Sequence, residues 1–372
     1  MDVVFMSLKV DLLKDAQLEV LRELLIVRLN HPFKVLSSAV LNGGLTYADA
    51  IVNVNVPKDY DHRDPKGYIA TVCLKKGLNP EKTVGLMTAV DMSNTSFKIG
   101  ACEDLKIAVV TTAGTSNAVA AGDRYSQQTL LNTVNIIALV DGVLSDSCLV
   151  ELVKTITEAK TLAFRELDIR SKISRKPATG TSTDSIVIAV SQQGSFCEFA
   201  GTATPLGQLA STLTLEAVKE AVEKQDKISP KRPVLKRLIE HGFPLSSFIE
   251  QSLQLNDRRR TTSSQAEKLL EVVCQEEEFA AMLLASIRLD EDIALGCVPD
   301  RVKDGLRRKA PSLIKALNAF CLEALKVKRQ AKSSKILVLD EYPFTSSFLQ
   351  SVLHTVVLKK EEGLGENGLE EA

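Results

Sequence analysis

The chain has 372 residues, 45% of them apolar and 25% charged, with 46 Lys+Arg against 47 Asp+Glu. That length points to two domains rather than one large core, and that apolar fraction excludes a wholly disordered chain. A net charge of −1, no Trp and 5% aromatics argue against nucleic acid, because neither phosphate attraction nor a base-stacking platform is on offer.

The opening residues carry no basic n-region and no small-residue cleavage site, and every apolar run is far shorter than a membrane span. A cytoplasmic protein without a membrane span is therefore expected. The seven Cys, at 73, 102, 148, 197, 274, 297 and 321, show no zinc-like spacing and read as thiols in a reducing compartment. None of His31, His62, His241 and His354 lies at metal-ligand spacing.

Short β-rich runs bounded by turn residues predict strands over 34–40, 50–56, 83–90, 106–113, 135–143 and 185–190. Between them, 146–169 places Leu149, Leu152, Val153, Ile156, Ala159, Ala163 and Leu167 on one helical stripe, and 115–123 reads as a shorter helical start. A helix over 212–227 then meets the two prolines of 228–233, a hinge. Beyond it, 234–242, 245–255, 264–296 and 310–330 carry apolar residues at helical intervals, with Gly242 and Gly296 as stops. The fold class is thus α/β (mixed α+β) in an N-terminal domain, 1–215, followed after a linker, 216–233, by a mainly α-helical domain, 234–358. The charged, Gly-rich tail 359–372 is expected to be disordered.

Four polar clusters stand out in the first domain. Ser37-Ser38-Ala39-Val40-Leu41-Asn42-Gly43-Gly44 ends a strand in Asn-Gly-Gly, which either forms a tight turn or presents backbone N–H groups to a ligand. Thr111-Thr112-Ala113-Gly114-Thr115-Ser116-Asn117, leading to Gly122-Asp123, suggests N-terminal donors of a helix that cap it or hold an oxyanion. Pro177-Ala-Thr-Gly-Thr-Ser-Thr-Asp184, just before a strand, offers hydroxyls and a carboxylate for nucleophile and base. It is neither a Walker A loop nor a dinucleotide fingerprint. Thr157-Glu158-Ala159-Lys160 lies on the long helix, where Glu158 and Lys160 do not share a face. In the second domain, Asp290-Glu291 and Asp340-Glu341 are either solvated surface or a divalent-metal site that clamps a phosphate.

The succession Ser37–Gly44, Asn53-Val-Asn-Val-Pro57, Val84-Gly-Leu-Met-Thr-Ala-Val90, Thr112–Asn117 with Gly122-Asp123, Asn132-Thr-Val-Asn-Ile136, Thr157–Lys160 and Ala178–Asp184 resembles the adenosylcobinamide amidohydrolase family over about 33–205. The resemblance implies hydrolysis of the amide between a corrinoid's propionyl side chain and its aminopropanol arm, which is corrinoid salvage for coenzyme B12 synthesis. Where that family more often has Gly-Thr-Gly-Thr-Asp, this chain has Gly180-Thr-Ser182-Thr-Asp184. The chemistry needs an oxygen nucleophile, an oxyanion site and an acid for the departing amine. Thr181 or Thr183 is the expected hydroxyl or water-positioning group, Asp184 the base or orienter, and Glu158 and Lys160 the next candidates for proton transfer. Ser38, Asn42, Gly43, Gly44, Gly114, Thr115, Ser116, Asn117, Asp123 and Asn135 are the expected substrate contacts, with no cofactor for this half.

The segments Leu238–Glu250, Glu278–Glu291 and Leu339–Glu341 are similar to the small helical phosphatases related to phosphatidylglycerophosphatase A, which include archaeal α-ribazole phosphatases. That similarity implies Mg2+ on Asp290, Glu291, Asp340 and Glu341, with α-ribazole phosphate as second substrate. Tyr342-Pro-Phe-Thr-Ser-Ser347 and the basic run Asn256–Arg260 depart from that family. Two other readings stay open, an amidohydrolase with an inactive helical interaction domain and a non-catalytic corrinoid binder, as does the choice between monomer and homo-oligomer.

Overall fold

The computed structural model describes residues 7–57, 60, 63–124, 132–255, 261–327 and 337–361. Two compact units divide the chain at Pro230/Lys231, the first of mixed sheet and helix and the second helical.

The first unit opens with a hairpin of β1 (Leu8–Leu13) and β2 (Ala16–Val20), which leads into β3 (Leu24–Ser37) and β4 (Gly44–Asn55). Helix α1 (Pro65–Lys75) precedes β5 (Thr83–Thr88), β6 (Ser96–Cys102) and β7 (Leu105–Ala113). Then come β8 (Ala118–Val119), β9 (Val134–Asp141), β10 (Val143–Leu144), α2 (Asp146–Glu166), β11 (Gly180–Thr181), β12 (Ser185–Val190), β13 (Phe196–Cys197) and α3 (Pro205–Asp226). All six strands expected from the sequence are present. Strands β1, β2 and β6 and the two-residue β8, β11 and β13 fall outside those six.

Nine strands form one sheet, in the order β1-β2-β3-β12-β9-β7-β6, with β4 on the other edge of β3 and β5 beside β4. The long β3 makes this possible: residues 25–29 pair with β2 and residues 34–37 with β12, while β4 follows both halves. Its register shifts between Arg28 and Phe33, the kind of irregularity that bends a strand.

Alternation of side chains along each strand separates three cores. Val134, Ile136, Ala138 and Val140 face α2 and α3 with Ile107 and Val109. Ile137 and Leu139 face inward with Leu25, Val27, Ile51, Leu86, Ala108 and Val110. Leu24, Ile26, Val52 and Val54 pack on Ile69 and Cys73 of α1. Helix α3 begins at Pro205 and continues through residues assigned above to a linker, because Ala217, Val218, Ala221 and Val222 belong to the α2–α3 core.

The second unit contains α4 (Val234–Glu240), α5 (Leu245–Leu255), α6 (Ser263–Val273), α7 (Glu277–Ala294), α8 (Asp300–Ala324) and α9 (Pro343–Glu361). Gly242 and Gly296 end α4 and α7 with positive φ, 94° and 73°. The run 264–296 is two helices, separated at Cys274–Glu276, and α6 starts with a capping box between Thr262 and Gln265. Helix α9 was not expected. Its apolar residues Phe348, Leu349, Val352, Leu353, Val356 and Val357 are buried, and so are its polar residues Thr345, Ser346, Gln350, Ser351 and Thr355. A helix buried all round shows no polar stripe for a periodicity reading to find. Residues 362–372 of the expected tail, the basic run 256–260 and His62 lie outside the described residues.

Candidate active site

The inward face of the sheet ends in polar residues. On β4, Asn53 follows Ile51 on that face; on β7, Thr112 follows Ala108 and Val110; on β9, Asn135 precedes Ile137. All three are buried and bonded to each other. Asn53 Nδ2 donates to Thr112 Oγ1 (2.8 Å), and Asn135 Nδ2 donates to Asn53 Oδ1 (2.9 Å) and to the Met87 carbonyl (2.8 Å). Their mutual bonding meets the requirement that buried polar groups be paired.

Thr133 links this layer to the loop before β12, for its hydroxyl donates to the Thr183 carbonyl (2.7 Å). At the centre of that loop is Asp184. Its Oδ1 accepts from Thr181 Oγ1 (2.5 Å), the Thr181 N–H (3.1 Å) and the Val134 N–H (3.1 Å). Lys160 of α2 forms an ion pair with Oδ2. The Lys160 and Asp184 side chains are only 9% and 12% exposed, so the pair sits where charge interactions are weakly screened. Helix α2, capped by Ser145 on the Cys148 N–H (3.0 Å), turns Lys160 inward on the stripe of Ile156, Ala159 and Ala163.

Thr181, Asp184 and Lys160 are therefore brought together. Thr183 is exposed, with its hydroxyl on the Asn132 carbonyl (3.3 Å). Glu158 lies on the exposed face of α2, away from that pair.

The segment after β7 is not a helix. It forms a turn and β8, which pairs antiparallel with β11 so that Gly180 meets Val119 and Thr181 meets Ala118. The strand pairing, rather than a helix N-terminus, brings the 114–117 turn beside the 180–184 loop. Thr115 donates through both N–H (2.6 Å) and Oγ1 (2.7 Å) to Asp226 at the end of α3. Asn117 is buried; its Nδ2 donates to Ser182 Oγ (3.0 Å), and its Oδ1 has no hydrogen-bond partner among the described residues. Ser116 is half-buried at the same turn. Gly114 is needed there, because a Cβ would fall 2.9 Å from the Asn132 amide.

Asp123 accepts from the Ala120 N–H (2.9 Å) and Ser171 Oγ (2.5 Å). Burial opposes its charge, yet Ser171, the Ala120 N–H and nearby Lys176 hold its carboxyl below the usual range. Asp123 thus fastens the loop 171–174 to the end of β8.

The Asn-Gly-Gly cluster is built as a turn. Asn42, at φ 52°, donates from Nδ2 to the carbonyls of Pro80 (2.7 Å) and Thr83 (2.8 Å). A Cβ on Gly43 would lie 2.4 Å from the Ala39 carbonyl oxygen, and Gly44 has φ 95°. Ser38 Oγ accepts from the Ile186 N–H (3.1 Å). These bonds tie β3 and β4 to β12 and β5.

The family model for adenosylcobinamide amidohydrolase matches residues 9–230, which is the whole described part of the first unit but its first residues. The chain belongs to the adenosylcobinamide amidohydrolase family. It is 32% identical over 226 residues to an uncharacterized protein of Methanocaldococcus jannaschii, covering 55% of this chain and 87% of that protein. It is 28% identical to the adenosylcobinamide amidohydrolase of Halobacterium salinarum, over 51% of this chain and 80% of the relative. The adenosylcobinamide amidohydrolase of Methanosarcina mazei is 27% identical, over 50% and 88%.

Several residues of this amidohydrolase unit escaped the sequence reading as site candidates. Thr112 and Asn53 fall in expected strands and in the motifs quoted above, and their inward parity is what places them in the polar layer. Asp226 ends the helix expected over 212–227, but nothing in that pattern marks its carboxylate as the partner of Thr115.

The helical unit lies outside the family match. Asp290 is buried, and both its oxygens accept from the first turn of α9, from the N–H of Phe344 (3.0 Å) and Thr345 (2.8 Å). Burial raises its carboxyl above the usual range, against the pull of those N–H groups. Glu291 pairs with His241 Nδ1 (2.9 Å) and Arg288 (3.5 Å), while Asp340 and Glu341 are exposed in the turn before α9. Among the described residues no three His, Cys, Asp or Glu side chains gather as metal ligands. The expected four-carboxylate metal set is therefore not assembled there. No helix among the described residues is long and apolar enough to cross a membrane.

Proposed function

We propose that the first unit hydrolyses the amide of adenosylcobinamide to adenosylcobyric acid and aminopropanol, with Thr181, Asp184 and Lys160 as the reacting group. The observation that carries this reading is the bond from Thr181 Oγ1 to Asp184 Oδ1 (2.5 Å), with Lys160 on the other carboxylate oxygen. It is the hydroxyl–base–orienter pattern that activates an oxygen nucleophile.

In the proposed sequence Thr181 Oγ1 attacks the amide carbonyl and its proton passes to Asp184. The tetrahedral adduct collapses as the C–N bond breaks, and the amine leaves with the proton from Asp184. A water molecule then attacks the Thr181 ester, giving its proton to Asp184, and the carboxylic acid departs as Thr181 regains its hydrogen. The Lys160 ammonium stays against Asp184 throughout and holds the carboxylate in line with Thr181. In this reading the 114–117 turn and Asn117, whose Oδ1 is unpartnered among the described residues, contact the bound amide.

Full-length protein incubated with adenosylcobinamide and quenched within one turnover tests the nucleophile. The reading expects a corrinoid ester on the peptide containing Thr181, slow turnover for Thr181→Ser and none for Thr181→Ala. Undiminished turnover in Thr181→Ala would assign the attack to water. No phosphatase step is proposed for the helical unit, because Asp290 caps a helix and Glu291 pairs with His241.

A further inference from the structure

A groove of about 330 Å³ in the first unit is lined by Arg22, Glu23, Asn55, Ala89, Asp91 and Gln225, among others. A chain of neighbouring residues connects it to the reacting group. A Cβ at Gly114 would sit 3.1 Å from Val90, which stands between the lining residues Ala89 and Asp91, and 2.9 Å from Asn132. The Asn132 carbonyl in turn accepts from Thr183, next to Asp184. Gln225 adjoins Asp226, the residue that holds Thr115.

The polar groups of the groove are only partly engaged. Gln225 Oε1 accepts from the Asp91 N–H (3.2 Å) and Asn94 Nδ2 (2.8 Å), which leaves its Nε2 to donate. Asn55 Nδ2 donates to the Val90 carbonyl (2.6 Å), which leaves its Oδ1 to accept. Arg22, in the turn between β2 and β3, makes no ion pair among the described residues. Donors and an acceptor thus stand side by side. Two carboxylates, Glu23 and Asp91, outweigh the single guanidinium, so the local charge disfavours an anionic ligand. A primary carboxamide, neutral and both donor and acceptor, matches these groups.

We propose that this groove is a substrate subsite for the primary carboxamides on the corrinoid rim, Arg22 and Gln225 donating to the amide carbonyl and Asn55 Oδ1 accepting from its NH2. The proposal rests on the amidohydrolase reading and deepens it, by naming what distinguishes a corrinoid from a small amide. A site built around such hydrogen bonds rejects a ligand that cannot complete them.

Equilibrium dialysis of the full chain against adenosylcobyric acid, followed by its visible absorbance, tests the subsite without requiring turnover. This probe keeps the rim amides and lacks the cleaved bond, so loss of hydrolysis and loss of rim binding are separate results. Arg22→Ala, exposed and without an ion pair among the described residues, and Asn55→Ala should each weaken binding at least fivefold. Arg22→Ala should also raise KM by that factor with kcat within twofold, the mark of binding lost equally in ground and transition states. A corrinoid whose rim amides have been hydrolysed to carboxylates should bind the unaltered protein at least tenfold more weakly, and inorganic phosphate should not compete. Unchanged affinity in both variants, equal affinity for the carboxylate rim, or competition by phosphate would overturn the proposal.

Discussion

Gly180 faces Asp184 so closely that a Cβ at that position would stand 2.2 Å from Asp184 Oδ2. The same Cβ would lie 2.6 Å from Lys160 Nζ, so the absence of a side chain at 180 is what lets the ion pair close over the strand. Gly180→Ala is expected to lower stability by about 1–3 kcal/mol, as overpacking does, and to cut amide hydrolysis at least tenfold. Thermal unfolding and steady-state rates on the same preparation check both. A variant with ordinary stability and rate would show that the pair can be rearranged freely.

Lys160 and Asp184 neutralise each other where water is largely excluded. Lys160→Met leaves a buried carboxylate alone and should cost about 3–5 kcal/mol, with hydrolysis lost. Pairing it with Asp184→Leu removes the stranded charge, so the double variant should recover most of the stability and none of the activity. Denaturant unfolding of the single and double variants distinguishes this from simple damage to the core.

Asp290 bonds two N–H groups at the start of α9. Asp290→Ala is expected to destabilise the helical unit by about 1–2 kcal/mol through loss of a helix cap, while amide hydrolysis stays within twofold. Hydrogen exchange of the α9 amides, read beside the rate, tests it.

Glu220 of α3 bonds Lys98 of β6 (2.6 Å) and Lys224 (2.5 Å). Burial works against its charge, but the two lysines outweigh that and bring it down to about 2 from 4.5. A depressed carboxyl stabilises the fold above its unfolded value and loses that contribution as pH falls through the folded one. Because the group is about a third exposed, Glu220→Gln should cost no more than about 1 kcal/mol at pH 7. The gap from the unaltered protein should narrow as pH drops from 4.5 towards about 2. A gap independent of pH would mean packing, not charge.

The strands that carry the candidate site were legible because each is a short apolar run between turn residues, and Lys160 and Asp184 stood out as members of dense motifs. What the sequence hid was pairing between distant segments. The run after Thr115 has helical composition, yet the 180–181 strand captures it as β8. Asn42 read either as a tight turn or as a ligand loop, and the distant partners of its amide, the Pro80 and Thr83 carbonyls, were not legible. Asp226 was legible only as the end of the 212–227 helix, because nothing local indicates that a helix C-terminus will bind a turn more than a hundred residues earlier. The Asp-Glu pair at 290–291 stayed open between solvated surface and a metal site for the same reason: only the folded chain shows Asp290 bonded to the start of α9.

The most direct test of the central claim is product release from adenosylcobinamide by the full chain and by Asp184→Ala, followed by mass spectrometry. The unaltered protein should yield adenosylcobyric acid and aminopropanol, and Asp184→Ala should lose at least a hundredfold in rate with its fold intact. Equal release by both, or a loss of less than tenfold, would contradict the assignment of Asp184 to the reacting group.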